Sequence, residues 1–293
     1  MYFWYFRSMA CDFSCPPRLV VKLESFSYFG DKPLLQGIEF EVHPGECLII
    51  LGASGSGKTT LLKLMDGLLK NYKGEILLDG EDIKKLRPRE IYSKMGLLFQ
   101  NPDEQLFAPT VFEDVAFGPR NMGFDEEEVR TRVLQALQLV ELSGFEEKSI
   151  SQLSFGQKKR VALAGLLAMG HEILLLDEPT LGLDPVRERR FLALLKRLQK
   201  ERNITLVIAT HQVDLVPEVA NRVLILSEGK VFFLGNPEEI FGEPKPLEGV
   251  YLRLPLVSEV FLPLWEKDGL KRLPLTVEEG KQVLEKLLSS LSS

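Results

Sequence analysis

The stretch that most limits what this chain can fold into is Gly52-Ala53-Ser54-Gly55-Ser56-Gly57-Lys58-Thr59, which fits G-x-x-x-x-G-K-[ST]. It follows Cys47-Leu48-Ile49-Ile50-Leu51, an apolar run without alternation, as expected of a strand buried on both faces of a parallel sheet. It precedes the helix-spaced leucines of Thr60 to Leu69. Glycines in such a loop let backbone N–H groups turn inward around phosphate oxygens, and the following helix adds its positive end. The order strand, loop, helix therefore predicts an α/β protein with a phosphate-cradling loop at the carboxyl end of a strand. Lys58 is expected to reach the β- and γ-phosphates of a nucleotide and the Thr59 hydroxyl to ligate Mg²⁺. Gly52, Ser54, Gly55, Ser56, Gly57, Lys58, Thr59 and Thr60 form the expected binding set.

A second apolar run narrows the chemistry. Ile173-Leu174-Leu175-Leu176 delivers Asp177-Glu178-Pro179 at its carboxyl end, where ligands bind in open α/β sheets. Asp177 is expected in the Mg²⁺ shell, and Glu178 is placed to polarise an attacking water. His211 ends a further run, Val207-Ile208-Ala209-Thr210-His211, and is one of only three histidines, with His43 and His171. It is either a γ-phosphate contact or an ordinary surface histidine.

Around these motifs, Leu19–Leu23, Ile38–Val42, Gly74–Leu78 and Met95–Gln100 read as strands, with Leu206–Ala209 as a third buried strand. Val223–Leu226 and Lys230–Leu234 flank Ser227-Glu228-Gly229 in a hairpin-like pattern. Thr110 to Met169 is helical in character, and Glu126 to Leu142 sets Val129, Val133, Leu137 and Val140 on one face behind an acidic first turn. From about residue 242 the chain becomes rich in Pro and Leu and ends in a helical pattern from Val277 to Leu291. The predicted organisation is an N-terminal extension over 1–18, either disordered or partner-facing, a main domain over 19–241 and an appendage over 242–293. Met9 is an alternative start.

At 293 residues the chain can bury a full core, and its 45% hydrophobic and 27% charged content is ordinary for a globular protein. The formal net charge of -6 argues against a duplex-DNA binder, which needs basic surface to displace counterions, so no nucleic-acid partner is expected. Cys11 and Cys15 lack a second Cys/His pair at zinc-like spacing, and with Cys47 they read as thiols of a reducing compartment. No apolar run is long enough to span a bilayer, so any role at a membrane must come through partners.

Leu153-Ser154-Phe155-Gly156-Gln157 resembles the LSGGQ signature of ABC ATPases. With it come Gln100 after a short strand (the Q-loop), Leu183-Asp184 (the D-loop) and His211 (the switch histidine), in the order of the ABC nucleotide-binding domain and covering roughly residues 19–235. The resemblance implies a P-loop NTPase core with an antiparallel β subdomain, a helical signature subdomain at about 101–170 and a small C-terminal extension. It implies ATP and Mg²⁺ as ligands, with Tyr28 stacking on adenine. Ser154, Gly156 and Gln157 would bind nucleotide, Thr59, Gln100 and Asp177 would hold the metal, and Glu178, His211 and Gln100 would act in hydrolysis. Phe155 departs from the pattern, standing where the family keeps the first glycine of the signature. The family mechanism implies two ATPase chains head to tail, each ATP held between one chain's phosphate loop and the other's signature.

The segment Gln100-Asn101-Pro102-Asp103-Glu104-Gln105-Leu106-Phe107, continuing through Glu113 to Pro119, resembles the ATPase components of energy-coupling factor (ECF) transporters, including cobalt and nickel uptake systems. That implies an ATP-hydrolysing motor for import of a vitamin or transition-metal ion, peripheral on the cytoplasmic face of the membrane. Its partners would be a second ATPase subunit, identical or similar, a transmembrane coupling component and a substrate-binding membrane protein. Another ABC importer, or a soluble ABC ATPase outside transport, is the alternative. Leu106, Phe107, Phe112 and Phe117 either pack the helical subdomain or face a partner, and the Pro/Leu tail is either a dimer contact or a stabilising cap.

Overall fold

A computed structural model describes residues 15–30, 32–242, 252–267 and 269–291. Most of the predicted N-terminal extension, with Cys11, and the first part of the Pro/Leu tail lie outside the described residues.

Strands β1 (Leu19–Phe26) and β2 (Leu35–Val42) alternate buried and exposed positions and pair antiparallel. Then come the wholly buried β3 (Cys47–Leu51), helix α1 (Lys58–Met65), β4 (Lys73–Leu78) and the short β5 (Glu81–Asp82). Helix α2 (Pro88–Tyr92) and β6 (Met95–Leu98) precede three packed helices, α3 (Val111–Met122), α4 (Glu126–Leu139) and α5 (Phe155–Met169). The sheet resumes with β7 (Ile173–Asp177), helix α6 (Pro185–Arg202), β8 (Thr205–Thr210), helix α7 (Val216–Val219), β9 (Arg222–Ser227) and β10 (Lys230–Gly235). Helices α8 (Pro237–Phe241), α9 (Leu256–Trp265) and α10 (Val277–Leu291) follow.

Two sheets result. One is antiparallel, ordered β2-β1-β4-β5, and the other runs β10-β9-β3-β8-β7-β6, parallel except for the edge strand β10. Successive residues of the central strands point to opposite layers. Leu48, Ile50, Leu175 and Val207 pack with β1, β2 and α1, whereas Ile49, Leu51, Leu174, Leu176 and Ile208 pack with the helical layer. That two-sided burial is why these strands read as unbroken apolar runs. Gly74 is required where β1 and β4 shift register. Its φ is +107°, and a Cβ there would lie 2.2 Å from the Lys22 carbonyl oxygen.

Several expected boundaries move, each for a local reason. The helix expected from Thr60 to Leu69 begins at Lys58 and stops at Met65, because Gly67 turns left-handed (φ +75°). The strand expected through Gln100 ends at Leu98, leaving Gln100 in an exposed loop. The helix expected to reach Leu142 ends at Leu139, with Glu141 at φ +60°. The long helix α6 and helix α9 were not anticipated from sequence. The charged run of α6 masks its buried Phe191, Leu194, Leu195 and Leu198, and Pro263 interrupts the pattern of α9.

One buried carboxyl sets a pH dependence. Asp66 ends α1 with 5% exposure, its Oδ1 finds no hydrogen-bond partner among the described residues, and burial pushes its pKa up to about 8. A raised folded-state pKa favours the neutral acid, so the contribution is complete below the unfolded value near 4 and is lost as pH rises toward 8. Over that window the loss is on the order of a few kcal/mol. Asp66→Asn is expected to exceed the parent's thermal midpoint by a margin that widens from pH 5 to pH 8, and parallel pH profiles in thermal denaturation would refute the assignment.

Candidate nucleotide and catalytic site

The phosphate-cradling loop links β3 to α1 and is wedged between neighbouring strands. A Cβ on Gly52 would lie 2.4 Å from the Leu226 carbonyl oxygen, and one on Gly57 (φ +104°) 2.4 Å from Leu35 Cδ2. Both sites need glycine, the first for close approach of backbone and the second for conformation as well. Lys58 folds across the loop, its Nζ donating to the carbonyls of Gly52 (2.8 Å) and Ala53 (3.0 Å). Burial lowers its pKa, opposed by the charges of Glu178 and Asp177. The Ser56 hydroxyl is buried without a hydrogen-bond partner among the described residues. Tyr28, half exposed, has its hydroxyl 3.2 Å from Thr60 Oγ1 and its ring edge-on to Phe26. Gly52 to Ser56, Ile225 to Glu228 and Leu252 line a cavity over the loop.

The end of β7 meets this loop from the side. Thr59 Oγ1 donates to Asp177 Oδ2 at 2.8 Å, while Asp177 Oδ1 is buried and finds no hydrogen-bond partner among the described residues. Burial raises the Asp177 pKa and the Thr59 bond opposes the rise. A hydroxyl and a carboxylate oxygen with spare acceptor capacity, beside a phosphate loop, suit a hard divalent cation such as Mg²⁺. Gln100, the third expected metal ligand, is exposed and hydrogen-bonds neither Thr59 nor Asp177.

Glu178 is held from three sides. It has a left-handed φ of +44°, uncommon outside glycine, and its N–H donates to the Ala209 carbonyl at 2.9 Å. Its Oε2 accepts from the Thr210 hydroxyl (3.0 Å), and its Oε1 lies 2.7 Å from His211 Nδ1. Its carbonyl accepts from the Nζ of Lys159 at 2.9 Å, which also donates to the Pro179 carbonyl at 3.0 Å. Lys159 is fully buried, and burial brings its pKa down to about 8. Sequence reasoning missed Thr210 and Lys159. The signal for Lys159 was its helical spacing to Leu163 and Leu166, which puts a lysine on an otherwise apolar buried face.

Ser154 caps α5 in a reciprocal box. Its Oγ accepts from the Gln157 N–H (3.4 Å), and Gln157 Oε1 accepts from the Ser154 N–H (2.9 Å). The Gln157 side chain is thus engaged in holding the turn. Ser154, Gly156 and Gln157 line a second cavity with Arg160, Leu183 and Arg187, distinct from the cavity over the phosphate loop. Within one chain the structure brings together Tyr28, the loop, Asp177, Glu178 and His211, and sets the Ser154 group apart.

Residues 35–181 match the ABC transporter family model. A Geobacter sulfurreducens protein assigned as an ABC transporter ATP-binding protein is 52% identical over 278 residues, 94% of this chain and 100% of its own. The energy-coupling factor transporter ATP-binding protein EcfA of Methanocaldococcus jannaschii is 47% identical over 247 residues, 84% of this chain and 88% of its own. Among solved structures, CbiO1 of Clostridium perfringens, part of the ABC transporter complex cbiONQ, superposes with a TM-score of 0.73 at 39% identity, covering 86% of this chain and 97% of that one. With the phosphate loop, the acidic strand end and the signature helix in place, the chain belongs to the ATP-binding proteins of ABC transporters and is an ATPase of that family.

Proposed function

We propose that this chain is the ATP-hydrolysing motor of an energy-coupling factor type importer for a vitamin or for cobalt or nickel ions, working as a peripheral pair of ATPase chains on the cytoplasmic face of the membrane. The observation that carries this reading is the surface after Gln100. Leu106 is buried and Phe112 packs against the core, but Phe107 and Phe117 are 66% and 50% exposed and meet edge to face at 4.7 Å. Asp114 shapes this surface by accepting the N–H groups of Phe107 and Ala108, both at 2.9 Å. Among the described residues no helix is long and apolar enough to cross a membrane, so a transport role requires membrane-spanning partners. An exposed aromatic pair on a preformed loop suits an apolar helix of such a partner. The likeness to EcfA and CbiO1 supports the same branch.

In the proposed reaction the loop N–H groups and Lys58 hold the ATP phosphates, and Tyr28 meets the base. Thr59 and Asp177, with Gln100 as a further expected ligand, would hold Mg²⁺, which would offset charge on the ATP phosphates when bound. Glu178 accepts a proton from the attacking water, oriented by Thr210 and His211. In the head-to-tail arrangement that the family resemblance implies, Ser154 would serve the nucleotide of a second copy. ATP then favours the closed pair over the open one by its differential affinity, and hydrolysis releases it.

Glu178→Gln is expected to bind ATP normally, to lose hydrolysis by about 10²–10⁴-fold, and to accumulate as a nucleotide-bound dimer in light scattering. Normal turnover would remove Glu178 from this role. Phe107→Ser with Phe117→Ser is expected to abolish co-purification with membrane proteins from detergent extracts while leaving the ATPase rate of the isolated chain unchanged. Undiminished recovery of those proteins would separate the aromatic pair from coupling.

A further inference from the structure

The first turns of α5 reach further than signature chemistry requires. The Phe155 ring packs on the turn before α6, where a Cβ on Gly182 (φ +81°) would lie 2.9 Å from Phe155 Cε1. Lys158 pairs with Asp103 at 2.6 Å, in the segment following Gln100. Lys159 turns inward to the carbonyls of Glu178 and Pro179, and its Nζ lies 5.3 Å from the centre of the Phe155 ring. One helix thus touches the signature cavity, the segment after Gln100 and the backbone of Glu178.

A fully buried ammonium is a costly choice for a helix that otherwise packs Val161, Leu163, Ala164 and Leu166. It is compensated by two carbonyl acceptors and an aromatic face, with the charges of Glu178 and Asp177 favouring the cation. What it secures is the turn on which Glu178 stands. The Glu178 N–H is tied to β8 through Ala209, and its carbonyl accepts both the Leu181 N–H of its own turn (3.2 Å) and the lysine, so the lysine is what ties this turn, with its residue held at φ +44°, to α5. The placement of the carboxylate relative to the phosphate loop therefore depends on where α5 sits. Phe155, the residue that departs from the signature pattern, covers the lysine and links it to the turn at Gly182.

We propose that Lys159 is a positioning residue for Glu178, locking the Glu178-Pro179 turn to the signature helix so that engagement of Ser154 on a second copy's nucleotide is transmitted along α5 to this chain's own hydrolytic carboxylate. The inference rests on the reading of Glu178 as the proton acceptor. It adds a mechanical link between the site a chain completes for its partner and the site it owns.

The test uses the purified full-length chain, with steady-state ATP hydrolysis and equilibrium binding of a fluorescent ATP analogue with Mg²⁺. Lys159→Met keeps length and removes the donors, Lys159→Gln retains an amide donor, and Glu178→Gln runs alongside. Lys159→Met is expected to lower kcat by about 10²-fold while KM and analogue affinity stay within about threefold, as for a misplaced rather than missing group. Lys159→Gln is expected to recover about tenfold of that loss. Wild-type kcat in Lys159→Met, a joint collapse of kcat and analogue binding, or a Lys159→Gln no better than Lys159→Met would each overturn the proposal. If Lys159→Met does not fold, Lys159→Arg takes its place beside Lys159→Gln, and wild-type kcat in both would overturn it equally. Normal hydrolysis by Glu178→Gln would instead remove the underlying assignment of Glu178, so the two failures are told apart.

Discussion

Everything at the site depends on burial of the parallel sheet from both sides. Strands β3, β7 and β8 are covered on one face by the antiparallel sheet with α1 and on the other by the helical layer. Residues at their carboxyl ends therefore leave the core at fixed points. The phosphate-cradling loop departs from Leu51, Asp177 closes β7, and Thr210 closes β8, all on strands hydrogen-bonded to one another in register. The backbone ladder, more than any side-chain contact, brings Thr59 against Asp177 and Thr210 against Glu178.

On that frame the charges form an alternating set. Two buried lysines, Lys58 and Lys159, lie within the field of Asp177 and Glu178, and burial lowers the pKa of both ammonium groups. Among the described residues neither lysine is hydrogen-bonded to a carboxylate. Each donates to backbone carbonyls, Lys58 within its own loop and Lys159 across to the Glu178 turn. That leaves the Asp177 carboxylate with acceptor capacity for a cation, and it leaves the Lys58 ammonium able to exchange two carbonyls for phosphate oxygens, which are stronger partners for a cation.

The C-terminal segment is built onto the same machinery. Asp214, three residues beyond His211, pairs with Arg253 and accepts the Leu256 N–H at 2.7 Å. Leu254, Phe261, Leu273 and Leu275 are buried in the core cluster shared with α6 and β8. The segment thus docks on its own domain, while Leu256 and Val260 on α9 and Leu284 and Leu288 on α10 stay exposed.

The sequence by itself determined the fold class and the chemistry of the strand ends, since two-sided burial demands unbroken apolar runs and phosphate binding demands glycines at set positions. The loop, Asp177 and Glu178 were legible for that reason, whereas His211 stayed open between a phosphate contact and a surface histidine. Helix ends were less so, because Gly67 and Glu141 stop them through left-handed backbone that no hydrophobic period announces. Only the tertiary structure decided what holds Glu178 in place and what Phe155 does. Lys159 and Thr210 are ordinary residues in linear order, separated from Glu178 by 19 and 32 positions. Their roles arise when β8 lies beside β7 and α5 packs behind them, contacts of long sequence separation that residue spacing does not encode. The same packing decided that Ser154 and Gly156 line a cavity separate from the one lined by Gly52 to Ser56.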